Sequence, residues 1–172
     1  MTDVNTKLIG AVRSGKTSDV RKFLSQGHTV NASDKLGMTP LHWSVYHGKL
    51  DIAKLLIRQG ADVNARDASG ETPMHYAAAR STPNLARLLL ENGADVNSAD
   101  AMDQTPLHFA AIWSGQTRTP EFLIGSGAKV NVEDKDGNTP LALAEERLFD
   151  DLAVLLRRHG GRLRANAKSQ HP

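Results

Sequence analysis

The chain contains no cysteine, few aromatic residues and no long hydrophobic run. The absence of cysteine from all 172 residues excludes disulfide frameworks and cysteine-ligated metal sites. Aromatic residues make up only 5% of a chain that is 40% hydrophobic, so the core must consist mainly of Ala, Leu, Ile and Val. No apolar run approaches the roughly 18 residues that a membrane helix needs, and residues 1–9 lack the apolar stretch of a signal peptide. We therefore expect a single cytoplasmic or nuclear domain without membrane contact.

Acidic residues are missing from the end of the chain. Five basic residues and no acidic residue follow Leu156, whereas the preceding part carries 16 basic and 19 acidic residues. A basic tail can bind nucleic acid or an acidic partner by releasing counterions. More commonly, such cations stabilise the negative end of a helix dipole. We keep nucleic-acid or acidic-partner binding as an alternative function, and we predict that residues 166–172 form a short disordered tail.

Two dipeptides recur along the chain with one shared period. Thr-Pro starts at positions 39, 72, 105 and 139, and Val-Asn starts at positions 30, 63, 96 and 130. Both series have spacings of 33, 33 and 34 residues. A period of this length indicates stacked structural repeats, since a unit of about 30 residues cannot bury its own apolar faces.

Each period predicts two helices and a turn-rich tip. Thr followed by Pro is typical of a helix start, because the Thr oxygen caps free N–H groups and Pro suits the first helical position. The second helix is expected to end at Gly60, Gly93, Gly127 or Gly160, where a glycine can adopt the left-handed conformation that terminates helices. Turn-forming residues, as in 64–70, then predict a hairpin-like tip.

The repeated motifs resemble a known family. The sequence Gly-Met-Thr-Pro-Leu-His at 37–42, followed by Gly-Ala-Asp-Val-Asn-Ala at 60–65, resembles one ankyrin repeat, and residues 70–98 resemble the next. The resemblance covers roughly residues 4–165 and implies an all-α solenoid. We predict five repeats, at about residues 1–33, 34–66, 67–99, 100–133 and 134–165, with degenerate capping repeats at both ends.

Two repeats depart from this pattern. In the first, the second helix is expected one residue out of register. In the fourth, Asp103 replaces the turn glycine, which costs up to about 1 kcal/mol if its φ is positive. Pro120 falls late in the same repeat, so we expect a second helix of two turns from near Thr119, preceded by a loop at Ser114–Arg118. The lowest local stability should lie around that loop.

Several motifs suggest chemistry that the repeat pattern argues against. Residues 10–17 (Gly-Ala-Val-Arg-Ser-Gly-Lys-Thr) match the phosphate-loop pattern, which requires a preceding strand and a parallel sheet. A nucleotide-binding enzyme is therefore our least favoured alternative, and Gly15 is interpreted as a helix break at the place of Gly48. His42, His75 and His108 lie one repeat apart, about 10 Å between neighbours at usual helix spacing, which is too far to share a metal ion. We predict no catalytic, metal or cofactor site.

The resemblance assigns roles to the repeated His and Asn residues. It implies that each His ties the Thr hydroxyl of its own repeat to an adjacent loop. It also implies that Asn64 and Asn97, in their Ala-Asp-Val-Asn frames, are candidates for hydroxylation by an oxygenase in a eukaryotic cell. The alternative, which we favour, is that each Asn braces its own turn through side-chain hydrogen bonds.

The resemblance finally implies a protein-binding concave face made of tips and first helices. Tyr46 and Trp113 lie there at positions that scaffold packing leaves free, and with Arg80 they are typical interface anchors. Trp43, Tyr76 and Phe109 are expected to fill gaps between repeats. We predict a monomeric, non-catalytic adaptor or inhibitory subunit. Its predicted partner-binding residues are Lys35, Leu36, Met38, Tyr46, His47, Arg66, Ser69, Glu71, Arg80, Met102, Gln104, Ile112, Trp113, Asp136, Asn138, Glu146 and Arg147.

Overall fold

The computed structural model describes the backbone of residues 4–164 and the side chains of residues 6–164. Within these residues the chain forms ten α-helices and no strand. The predicted tail at 166–172 lies outside the described residues. The helices are α1 (Val4–Ser14), α2 (Thr17–Ser25), α3 (Pro40–Tyr46), α4 (Leu50–Arg58), α5 (Pro73–Ala79), α6 (Pro83–Glu91), α7 (Pro106–Trp113), α8 (Arg118–Gly125), α9 (Pro140–Glu146) and α10 (Asp150–Arg158).

Consecutive helices contact each other to form five pairs, and these pairs stack side by side. The first helices α1, α3, α5, α7 and α9 contact one another in sequence order, and α2, α4, α6 and α8 form a second row. Repeated apolar positions lie between the rows: Leu56, Leu89, Leu123 and Leu156 are all completely buried. The predicted all-α solenoid of about five repeats is therefore confirmed.

Local sequence signals account for the helix boundaries. Proline occupies the first positions of α3, α5, α7 and α9, and the hydroxyl oxygens of Thr39 and Thr139 accept backbone N–H groups in the first turn. The four predicted terminating glycines have φ values of 84°, 87°, 95° and 79°. Both signals were predicted from the repeat, and both are confirmed.

The tips of the second to fifth repeats are each organised by an aspartate. One carboxylate oxygen of Asp34, Asp67, Asp100 or Asp134 accepts two backbone N–H groups of its own tip. Neighbouring tips are joined by a backbone hydrogen bond, such as Ala68 N–H to the Leu36 carbonyl at 3.0 Å. The tips thereby form a continuous edge beside the first helices.

The first repeat corrects one expectation and bears on another. Both ends of α2 lie 33 residues before the corresponding ends of α4, so the prediction of a register shift was wrong. Helix α1 covers residues 4–14, whereas a phosphate loop at residues 10–17 would need a strand directly before it. Gly15 has φ 74° and Gly48 has φ 66°, which agrees with a helix break in both repeats.

The fourth repeat is one residue longer than the second and third repeats, and the additional residue lies near the turn between its two helices. Asp103 has φ 60°, as the missing glycine predicted. Helix α7 has eight residues where α5 has seven, and α8 begins at Arg118, one residue before the predicted start. The connecting loop is therefore residues 114–117. At its centre, Gly115 has φ 63°, and the Phe149 ring packs against it.

Candidate binding groove

A cavity of about 330 Å³ opens on the face formed by the first helices and the tips. We call this surface the first-helix face and the cavity the aromatic groove. Tyr46 reaches it from the end of α3, Tyr76 and Arg80 from α5 and its C-cap, and Trp113 from the end of α7. The residues lining the groove are Tyr46, Glu71, Tyr76, Ala79, Arg80, Phe109 and Trp113.

Tyr46, Arg80 and Trp113, which we singled out as anchors, meet in this groove. The Arg80 guanidinium lies 5.0 Å from the centre of the Tyr46 ring, a cation–π distance. The Tyr46 ring in turn meets the Tyr76 ring edge-on at 6.0 Å. Trp113 is 66% exposed, which is unusual for the largest apolar side chain.

The wall nearest the tips carries a half-buried carboxyl group. Burial raises the pKa of Glu71, while the nearby Tyr76 hydroxyl opposes that shift. The Tyr76 hydroxyl donates to the second carboxylate oxygen of Asp67 at 2.6 Å, and burial together with these acidic neighbours raises the tyrosine pKa. The groove therefore has aromatic walls and a negative end.

Two of the supposed gap-filling aromatics do more than pack. Trp43 Nε1–H donates to Asp34 at 2.8 Å, nine residues earlier, just as Tyr76 bonds Asp67 nine residues earlier. These bonds fix the ring positions against the tips, whereas Phe109 is simply buried. Our site prediction omitted Tyr76, Ala79 and Phe109, although the Asp-to-aromatic spacing of nine residues was available in the sequence.

A basic cluster flanks the groove on its N-terminal side. Trp43 stacks on His47, and the Arg13 guanidinium lies 4.6 Å from the Trp43 ring centre. Burial lowers the pKa of His47, and the positive charges of Arg13, Lys49 and Arg80 lower it further. The imidazole is therefore held in its neutral form beside three cations.

The other predicted binding residues are distributed along the same face, with one correction. Met38 is only 5% exposed, so its side chain belongs to the core and the prediction of a surface role for it was wrong. Leu36 and Met102 are exposed at the tips. The remaining members lie outside the groove, partly or fully exposed: Lys35, His47, Arg66, Ser69, Gln104, Ile112, Asp136, Asn138, Glu146 and Arg147.

The repeated histidines have the structural role that the resemblance implied. His42 Nδ1 lies 2.8 Å from the Thr39 hydroxyl, and Nε2–H donates to the Glu71 carbonyl of the next tip at 3.1 Å. His75 and His108 make the corresponding bonds. Burial lowers the pKa of all three imidazoles, which suits a neutral hydrogen-bonding role.

The repeated asparagines bridge repeats instead of bracing their own turns. Asn64 Nδ2–H donates to the Gly93 carbonyl at 2.9 Å, and its Oδ1 accepts the Asp95 N–H at 2.8 Å. Side-chain hydrogen bonds were predicted, but their location within the same turn was wrong. Hydroxylation of Asn64 or Asn97 stays the less favoured alternative.

Two arginines of the basic C-terminal segment contact other residues of the last repeat. Arg157 forms an ion pair with Glu145 on α9. The Arg164 guanidinium packs against Gly137 of the last tip. Lys168 lies outside the described residues. These contacts account for two of the five bases that the nucleic-acid alternative depends on.

The described residues contain neither a cluster suited to a metal ion nor a helix suited to a bilayer. Within residues 6–164, no group of three or more His, Asp or Glu side chains is arranged to hold a metal ion. Over the same part of the chain, no helix has the length and apolar character needed to cross a bilayer.

Comparison with known proteins agrees with the stacked helix pairs. A family model of ankyrin repeats in three copies matches residues 8–100, and a second model of multiple ankyrin repeats matches residues 82–124. No curated protein gives a significant match. The matched segments together run from α1 to α8 and include the aromatic groove. The chain therefore belongs to the ankyrin-repeat family.

Proposed function

We propose that this chain binds its protein partner on the first-helix face, with the aromatic groove at the centre of the contact. Ankyrin repeats are protein–protein interaction modules, and the family therefore supplies the general function. The single observation that supports this location is that Tyr46, Arg80 and Trp113 line one cavity on that face. Trp, Tyr and Arg are the residues most enriched among interface hot spots.

The surroundings of the groove support a docking surface. Leu36 and Met102 are large apolar side chains exposed at 60% and 44% on the neighbouring tips. With Trp113 they are three large apolar side chains exposed on tips and first helices, whereas the exposed residues of α4, α6 and α8 are mostly charged or polar. Tips and first helices therefore offer more apolar surface to a partner than these second helices do.

The stacked repeats also favour rigid docking. The groove side chains project from helices whose buried faces pack against both neighbouring repeats. A preformed surface pays little ordering cost on binding. The chain would act without catalysis, as an adaptor that recruits its partner or as a regulatory subunit that blocks the partner's surface.

The test compares proteins captured from native cell extract by two baits. One is the wild type, and the other is the variant Tyr46→Ala/Arg80→Ala/Trp113→Ala. Circular dichroism must first show that both baits have the same helix content and melting temperature. A protein retained by the wild type and lost by the variant is then purified, and its direct binding is measured by calorimetry.

A matched control distinguishes the groove from a general change in surface composition. The variant Lys54→Ala/Glu91→Ala/Glu121→Ala alters three exposed positions on α4, α6 and α8. It should retain the partner, and the groove variant should weaken binding at least 100-fold, since hot-spot truncations cost about 2 kcal/mol or more each. Equal capture by all three baits would contradict the location.

A further inference from the structure

Glu71 is the one acidic side chain lining the aromatic groove, and the described residues provide no basic partner for it. The only ion pair found within residues 6–164 is Arg157–Glu145, at the far end of the solenoid. Asp67 and Asp100, the charged neighbours that affect Glu71, are both acidic. A half-buried carboxylate among like charges gains from an incoming cation.

The repeat scaffold does not require an acid at this position. The corresponding residues in the other tips are Met38, Gln104 and Asn138, all of them neutral. Glu71 supports the repeat through its backbone. Its carbonyl oxygen accepts a hydrogen bond from the His42 side chain, and its N–H donates one to the Asp67 carboxylate. Its carboxyl group, which lies near the Tyr76 hydroxyl, is not required by the repeat scaffold and is available for a ligand.

The rest of the groove suits a positively charged group on a long aliphatic chain. Four aromatic rings line it, from Tyr46, Tyr76, Phe109 and Trp113. Ring faces attract cations, and ring edges pack against methylene groups. The volume of about 330 Å³ leaves room for one extended side chain.

Arg80 does not satisfy this site from within the protein. Its guanidinium is placed over the Tyr46 ring, and it forms no ion pair with Glu71 in the described structure. Because Arg80 is positive, it repels any cation near the Tyr46 ring, so an incoming positive charge is favoured only beside Glu71. The arrangement directs a single positive charge toward Glu71.

We propose that the aromatic groove binds a lysine or arginine side chain of the protein partner, with the cation paired to the Glu71 carboxylate and the aliphatic chain against the aromatic rings. This inference rests on the proposed function, because it names the chemistry by which that partner is recognised. An apolar side chain and an acidic side chain are the competing occupants, and the experiment below separates them.

The two tryptophans of the chain provide the readout. In ¹⁵N-labelled protein, Trp113 reports on the groove, and Trp43, tied to Asp34, reports on the flanking surface. The probes are the Nα-acetyl methylamides of lysine, arginine, norleucine and glutamate. Norleucine keeps the carbon chain of lysine and lacks its ammonium group.

The lysine and arginine probes should shift the Trp113 indole signal saturably at millimolar concentration and move the Trp43 signal less. The norleucine probe should bind about tenfold more weakly, as expected for loss of a cation–π and ionic contact. Glu71→Gln should weaken the cationic probes by a similar factor. That variant should fold, because Gln104 occupies the same position in the next repeat. Glu91→Gln, an equal charge change on α6, should bind like the wild type.

Three results would overturn the inference: equal binding of norleucine and lysine, preferential binding of glutamate, or no shift of Trp113 with any probe. The amide spectrum away from the groove shows whether each variant is folded. The capture experiment above does not alter Glu71. Loss of capture in its groove variant, combined with failure of the cationic probes, would therefore leave the proposed function standing and reject only the side-chain chemistry.

Discussion

His75 Nε2–H donates to the carbonyl oxygen of Gln104 at 3.0 Å, and this bond joins the buried start of one helix to the tip of the following repeat. On its other side, Nδ1 accepts the Thr72 backbone N–H at 3.0 Å. Both ring nitrogens are therefore used by the neutral imidazole. Protonation of Nδ1 would remove the second bond and place a charge in the core.

These histidines predict a loss of stability in mild acid. Burial lowers the pKa of His42, His75 and His108 below the ordinary value of 6.5. The unfolded chain therefore binds more protons than the folded chain once the pH falls below about 6.5. Each histidine should lower the free energy of unfolding by up to about 1.4 kcal/mol for each pH unit of acidification. Above about pH 7.5 these histidines should cause no further change of stability with pH.

Urea unfolding from pH 5 to pH 8 measures this effect. His75→Ala should cost about 3 kcal/mol at pH 7.5, because Thr72 and Gln104 each lose a buried hydrogen-bond partner, and it should reduce the acid slope. Removal of the exposed His159 side chain by His159→Ala should change the free energy of unfolding at pH 7.5 by less than about 0.5 kcal/mol. An unchanged slope in His75→Ala would contradict the assignment.

Asn64 should stabilise the stacking of the second and third repeats. Replacing it by Ala removes two hydrogen bonds, to Gly93 and Asp95, across the repeat boundary. Because the site is exposed, we expect a loss of about 1–2 kcal/mol in the free energy of unfolding. Asn92→Ala is the control, since its side chain bonds only Leu88 within α6, and it should stay within about 0.5 kcal/mol of wild type.

Asp103 offers a stabilising substitution. Its φ of 60° lies in the region that glycine adopts without strain, and the corresponding residues of the adjacent tips are Gly70 and Gly137. Asp103→Gly should raise the free energy of unfolding by up to about 1 kcal/mol. Asp103→Ala keeps the Cβ and should give no gain. If urea denaturation shows that Asp103→Gly is less stable than the wild type, the Asp103 side chain stabilises the fold by more than the strain of its backbone destabilises it.

Leu148 is a second residue in the left-handed region, with φ 58° and 81% exposure. Its counterparts in two other repeats are Gly48 and Gly115. Leu148→Gly should therefore stabilise the last repeat by about 1 kcal/mol, since a large side chain in this conformation is strained and little packing is lost. Thermal unfolding checks the prediction, and Leu148→Ala should not reproduce the gain.

Gly115 should be intolerant of any side chain. A Cβ there would lie 2.6 Å from the Phe149 ring, and the backbone φ is 63°. Gly115→Ala should cost about 2 kcal/mol or more through both strain and overpacking. In the Phe149→Ala background the same substitution should cost less, because only the backbone strain remains. An equal loss of stability in the two backgrounds would show that backbone strain alone causes it.

The regular parts of the fold were predictable because their signals are local. Thr-Pro marks a helix start and a following glycine marks a helix end, whatever the rest of the chain does. The positive φ of Asp103 followed from comparison with Gly37 and Gly70 in neighbouring repeats. The strained Leu148 could have been found by the same comparison with Gly48.

The candidate site was predictable only in part. Tyr46, Arg80 and Trp113 stood out as interface residue types at positions that packing leaves free, and they do line one cavity. Met38 was misplaced because the correspondence between repeats shows which residues belong to a tip but not which side chain turns inward. Asn64 was misassigned because a side chain that bonds 29 residues ahead looks, in sequence, like a turn former.

The sequence by itself determined the repeat number, the helix order and the family, since each depends on short motifs at a fixed period. The tertiary structure alone decided which side chains share a cavity and that Glu71 is the acidic side chain among them. Glu71 and Trp113 are 42 residues apart, and they line one groove only because successive repeats stack side by side. The spacing of motifs in the sequence shows that the chain repeats, whereas contacts between side chains of different repeats depend on how the buried faces of those repeats pack.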